Sequence, residues 1–192
     1  MTRPDLERGP TGTDVRHRLA LNVLWQIPSV EGALKPILGG WQINAITVYQ
    51  SGLPFNVFCG QAYPRCDFNA DGTNNDRPNS PSFGAKSGLG NSDYLTGIFA
   101  AADFPLPATG TLGNLPRNNF RGPGYVSTDL SLFKNVRIGW RNAMLQLRAE
   151  AFNVFNHVNL FNPQGNTTST LFGRSTTARQ SRDIQLGAKF IF

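Results

Sequence analysis

The sequence predicts an all-β protein, an antiparallel meander of about five strands joined by alternately short and long connections. Three observations carry this. Charged residues make up only 16% of the chain, while there are 20 Gly, 13 Pro and 14 Phe against 2 Met, a balance that suits strands and loops better than helices. Apolar residues recur with a period of two in separate segments. No stretch reaches the roughly 18 to 20 consecutive apolar residues of a membrane helix, so any insertion into a bilayer is by strands.

Taken in order, Met1 to Asp14 is polar and rich in Pro, Gly and Thr, as at the descending end of a loop. A strand is expected over 15–28, with Leu19, Leu21, Val23, Trp25 and Ile27 on one face and Arg18, Ala20, Asn22, Leu24 and Gln26 on the other. Its length matches the roughly 9 to 11 residues with which a tilted strand crosses a bilayer. Ser29 to Gly39 connects it to a second strand over 41–58. There Trp41, Ile43, Ala45, Thr47 and Tyr49 share a face, and the two aromatic rings stand about 27 Å apart along the strand, near two membrane interfaces. Ser51-Gly52-Leu53-Pro54 kinks the chain, and Phe55 to Phe58 continues the strand beyond the kink.

Residues 59–123 read as one long outer loop, with a short strand or helix near Tyr94 to Ala102. Such a loop is foreign to a compact soluble domain but usual on the outer side of a membrane barrel. A third strand spans 125–136, Arg137 to Asn142 form a tight turn, and a fourth strand spans 143–155. Ala, Met, Leu and Glu make a helix the competing reading for that fourth segment. The strict alternation of Leu145, Leu147, Ala149 and Ala151 with Gln146, Arg148 and Glu150 favours the strand. Asn156 to Ser181 is another polar loop.

The last strand, 182–192, places Ile184, Leu186, Ala188, Phe190 and Phe192 on one face. Gln185-x-Gly187-x-x-Phe190-x-Phe192 resembles the signal with which bacterial outer-membrane barrels present their final strand to the assembly machinery. The chain is then an antiparallel transmembrane β-barrel fragment with Phe192 on the periplasmic side and the long loops outside. A soluble β-sandwich binding module is the competing architecture. The chain starts Met-Thr-Arg-Pro-Asp with no apolar export segment, so it is expected to be the tail of a longer protein.

Six local sequences follow one another in order: Asp14-Val15-Arg16-His17-Arg18, Leu38-Gly39-Gly40-Trp41-Gln42, Gln50-Ser51-Gly52-Leu53-Pro54-Phe55, Asn75-Asp76-Arg77-Pro78-Asn79, Asn118-Asn119-Phe120-Arg121-Gly122-Pro123-Gly124, and Arg148 to His157 reading R-A-E-A-F-N-V-F-N-H. Together they resemble the carboxy-terminal end of TonB-dependent outer-membrane receptors, particularly the subgroup with an amino-terminal carboxypeptidase-regulatory-like domain. The resemblance covers nearly the whole chain. It implies a barrel of about 22 strands, plugged by an amino-terminal domain, that imports a scarce ligand with energy delivered by TonB. The plug, the TonB-contacting segment and most of the barrel lie outside these residues, so the segment is not expected to act alone. Another outer-membrane barrel, porin-like in kind, is the alternative.

The net charge of +6 and pI near 9.8 would suit a nucleic-acid partner, but the Lys and Arg residues are scattered and no aromatic-basic signature, helix-turn-helix or zinc spacing accompanies them. Arginines facing outer-membrane lipid and lipopolysaccharide account for the same charge. Cys59 and Cys66 suggest a small disulfide loop in an oxidising compartment, two free thiols being the other reading. Asp67-x-Asn69-x-Asp71-Gly72, followed by Asp76, matches the opening of a calcium loop, although Pro78 stands where the bidentate Glu of an EF-hand would be. A solvated Asn/Asp/Gly turn is the plainer reading. Arg148 and Glu150 share the polar face of the fourth strand and are expected to form a lumen ion pair. His17 and His157 have no partner spacing for catalysis, no nucleophile has an arranged base, and nothing points to an enzyme.

Overall fold

The computed structural model describes residues 4–28, 31–61, 66–73, 75–84, 86–139 and 143–192, Pro36 by its backbone alone. The chain forms two compact units.

The first to consider is a five-stranded antiparallel sheet, in the order β1 (Arg18–Gln26), β2 (Trp41–Gln50), β5 (Tyr125–Arg137), β6 (Met144–Phe152) and β7 (Asp183–Ile191). The five expected strands are all present; four lie within about three residues of their expected spans, whereas the second, expected over 41–58, ends at Gln50. The competing helix over the fourth segment is not formed: Met144 to Phe152 is strand throughout. A short helix, Lys35–Leu38, lies in the connector before β2. The expected turn after β5 falls partly at 140–142, outside the described residues.

Register keeps each face continuous across the sheet, because a slip of one residue would invert every side chain of a strand. One cross-strand row runs Val23–Ala45–Leu130–Ala151–Ile184, and the next runs Trp25–Ile43–Leu132–Ala149–Leu186. The opposite face runs Leu24–Asn44–Ser131–Glu150–Gln185 and Gln26–Gln42–Phe133–Arg148–Gly187. The apolar face is open: Leu19, Leu21, Val23, Trp25, Ile184 and Leu186 are all exposed. The polar face is knitted by its own side chains, with Gln146 Nε2 donating to Asn135 Oδ1 at 2.9 Å and Ser127 Oγ contacting Asp129 Oδ1 at 3.2 Å.

The second unit gathers the described part of Met1–His17 with Ser51–Gly124 and Asn159–Arg179. Here the structure departs from the sequence reading. The described residues of the long loop 59–123 contribute to a body with an aromatic core, in which Phe55, Phe99, Phe104, Phe120 and Phe172 are buried together with Val57, Tyr94, Ile98, Leu115 and Leu160. Phe99 is its hub, with ring centroids 4.7 Å from Phe120 and 5.3 Å from Phe104. Phe55 does not extend β2. After the break at residues 51–53, β3 (Pro54–Phe55) pairs instead with β4 (Phe120–Arg121) in a separate two-stranded sheet. Two short helical turns lie where a short element was expected, an α-helical one at Asn91–Thr96 and a 3-10 turn at Ala101–Asp103.

Candidate functional site

The second unit brings several of the sequence motifs to one place, and Arg121 joins them. Its guanidinium donates to the Asp14 backbone carbonyl at 3.1 Å and to the Gly52 carbonyl at 3.0 Å, and it forms an ion pair with the Asp14 carboxylate. Pro54 and Phe55 pair with Arg121 and Phe120, and the Gly122 amide donates to the Leu53 carbonyl at 2.9 Å. Glycine is required where these segments cross: a Cβ on Gly52 would lie 1.8 Å from the Gly122 carbonyl oxygen. The Asn75–Asn79 motif is fastened to the same body through reciprocal bonds, Ser80 N to Asn114 Oδ1 at 2.7 Å and Asn114 N to Asn79 Oδ1 at 3.2 Å. Tyr94 is buried and donates to the Arg121 carbonyl at 3.3 Å; burial pushes its hydroxyl above the ordinary phenol value.

Cys59 and Cys66 are joined by a disulfide with Cα atoms 5.2 Å apart, and Phe68 packs against it. Closing a loop this short removes denatured-state freedom worth about 2–3 kcal/mol.

The Asp67–Asp76 segment is a turn capped by its own side chains. Asp67 accepts from the amides of Asp71 and Gly72, both at 2.9 Å, and Asp76 Oδ2 accepts from Phe68 at 2.6 Å and Asn69 at 3.2 Å. Asp71 is held below the usual carboxylate range by the Asn69 amide and then by the Thr73 backbone N–H. Among the described residues, no group of three or more His, Cys, Asp or Glu side chains is placed to hold a metal ion. The arrangement is that of an Asx turn, closed by its own side chains.

The motif at the end of β6 has a structural role. Asn153 adopts φ 49°, its amide donates to Asp129 Oδ1 at 2.9 Å, and its side chain exchanges bonds with the His157 backbone. Arg148 and Glu150 are not joined as an ion pair among the described residues. Arg148 Nε donates to Gln146 Oε1 at 2.7 Å and its guanidinium lies 5.5 Å from the Phe133 ring, a same-face neighbour and a cross-strand one that satisfy it first.

Among the described residues of the second unit, two cavities are lined by several charged side chains each. One, of about 760 Å³, is lined by Glu7, Asn69, Asp71, Arg77 and Arg117 among others, with Glu7 and Arg77 ion-paired across it. The other, of about 380 Å³, is lined by Arg8, Arg16, Lys86, Arg117 and Arg121 against Phe99 and Leu89. Sequence reading missed both, since their residues come from segments far apart in the chain.

Residues 1–185 match the description of an outer membrane beta barrel domain. The chain belongs to this family. No curated protein and no solved structure matches it. As an outer-membrane barrel segment of the bacterial cell, its sheet has a direct physical reading. The open apolar face is the lipid face, where no core is needed because the solvent is itself apolar, and the polar face is the one turned to the barrel interior. The single ammonium in the lipid-facing rows, Lys134, is withdrawn from lipid: its Nζ donates to the Ile37 and Gly39 carbonyls and lies 5.0 Å from the Trp41 ring.

Proposed function

We propose that this barrel segment is the carboxy-terminal part of a TonB-dependent receptor, of the subgroup with a carboxypeptidase-regulatory-like domain, that imports a scarce ligand through a plugged barrel. The observation that carries the reading is the meeting of three of the ordered motifs at Arg121, through Asp14, Gly52 and Pro54. A porin-like barrel explains the sheet equally well but gives no reason for that set of motifs.

The segment contributes strands and ligand-side loops and no catalysis. β1 and β7 each have an unpartnered edge in the five-stranded sheet. Unpaired backbone groups in lipid cost several kcal/mol each, so function requires further strands to close the barrel, together with the plug and TonB. On this reading Gln185, Gly187, Phe190 and Phe192 address the barrel assembly machinery. The Phe190 and Phe192 rings lie 5.7 Å apart, and Phe192 is 90% exposed. The basic residues of the second unit face outer-membrane lipopolysaccharide.

The test uses the complete protein extracted from outer membranes in detergent. Retention on immobilised TonB periplasmic domain, with no steady conductance in a planar bilayer, is the expected result. Failure to be retained, together with open-channel conductance, would replace the receptor with a porin-like barrel.

A further inference from the structure

The cavity of about 380 Å³ in the second unit has a composition that the barrel does not explain. Arg8, Arg16, Lys86, Arg117 and Arg121 line it, and no carboxylate does. Of these five, Arg121 is compensated by Asp14, which leaves four cationic residues in the lining of one concave space. Among the described residues Arg8, Arg16 and Arg117 take part in no ion pair; the Glu7 carboxylate that feels Arg117 is already bonded to Arg77. Four like charges brought together without a counter-charge repel one another, an arrangement that an anion relieves.

Lys86 is already positioned for such a task. Its Nζ donates to the Ile98 carbonyl at 2.5 Å and lies 5.2 Å from the Phe83 ring and 5.5 Å from the Phe99 ring. Two of its three N–H donors remain for another acceptor, and its conformational freedom is spent before any ligand arrives. Part of the remaining wall is apolar: Ile98, Phe99 and Phe120, buried in the aromatic core, line it together with Leu89. A volume of about 380 Å³ suits a small ligand and excludes a polymer.

We propose that this cavity binds a phosphate monoester carried on an apolar or aromatic body. The dianionic phosphate meets the Arg fork geometry and the Lys86 ammonium, and the body lies against Phe99 and Leu89. The phosphate belongs either to a free small molecule or to a lipid headgroup. The site lies within one unit, so binding requires neither TonB nor an energised membrane.

Titration of the detergent-solubilised protein with phenyl phosphate, phenol and inorganic phosphate, and flotation with phosphatidylcholine vesicles with and without phosphatidic acid, tests this directly. Phenyl phosphate is expected to bind at least about tenfold more tightly than phenol, and the Arg8→Gln/Arg117→Gln pair to weaken it by at least about tenfold. Arg117→Lys should give an intermediate loss, and Arg137→Gln, in β5, none. Both substituted arginines are exposed, and retention of the Cys59–Cys66 disulfide and of the circular dichroism spectrum checks that the variants fold. Phenyl phosphate binding with this pattern identifies a free ligand. Flotation with phosphatidic acid alone, lost in the double variant, identifies a lipid headgroup. No saturable binding of either up to about 10 mM, or binding unchanged in the double variant, overturns the proposal.

Discussion

The two units of this chain solve opposite problems with the same residues. In the unit built around Phe99, large apolar side chains are inside: Phe99 is 9% exposed and Leu115 1%. In the sheet they are outside, with Leu186 82% exposed, and among the described residues of that unit the only buried hydrophobic one is Ala143. The first arrangement gains from removing apolar surface from water, about 25 cal/mol per Å². The second gains nothing in that way and depends on a satisfied backbone ladder, register and a lipid solvent. One chain thus carries a water-soluble type of core and an inverted one, and the same substitution must act differently in each.

Phe99→Ala should have the largest effect. Its ring contacts Phe55, Phe83, Phe104, Phe120 and Phe172, so truncation leaves a cavity at the centre and should cost the unit about 3–5 kcal/mol. Limited proteolysis should cut within Ser51–Gly124 while amide-exchange protection in β5 and β6 is unchanged. Simultaneous loss of both would show that the two units do not behave independently. Next is Leu130→Arg, at the middle of a lipid-facing row. An arginine at that depth should destabilise insertion by about 2–4 kcal/mol, read as a shift in the urea midpoint of Trp fluorescence in lipid vesicles. Ser131→Arg, one residue along and on the polar face, should cost distinctly less. Equal costs at 130 and 131 would contradict the assignment of faces.

The same contrast explains what the sequence revealed. Every strand of the sheet was legible because its two faces meet different solvents, so alternation at period two is imposed on each segment separately, as in Leu145 to Ala151. The aromatic core left no such trace. Phe55, Phe99, Phe104, Phe120 and Phe172 follow no period, and they meet only through contacts between distant segments. A run of polar, Gly-rich sequence carrying this many Phe residues was itself a signal, since loops in water do not need them. The motifs were visible in order, but their junction was not: that Arg121 binds Asp14 and Gly52 depends on β3 leaving the direction of β2. Arg148 shows a further limit. Sharing a face with Glu150 fixed which side it projects from, while the competition with Gln146 and Phe133 is decided by side-chain geometry.

Solution pH should also separate the two units, with the smallest effect. The Arg77 guanidinium, bonded to Glu7, holds that carboxyl below its ordinary value of 4.5. A carboxylate lowered in the folded state binds its proton more weakly there than in the unfolded chain. Its contribution is therefore fully present above pH 4.5 and is lost as pH falls through the folded value. Glu7 is 59% exposed, and solvent screening limits the pair to about 0.2–1 kcal/mol. Glu7→Gln should accordingly lower the urea midpoint of the Phe99 unit slightly at neutral pH, and the gap from the parent should close as the solution is acidified below the folded value. The penalty of Leu130→Arg should not change over the same range, because an arginine stays charged throughout. A Glu7→Gln deficit that persists undiminished in acid would mean that the side chain acts through packing, and the ion pair would have to be dropped as its cause.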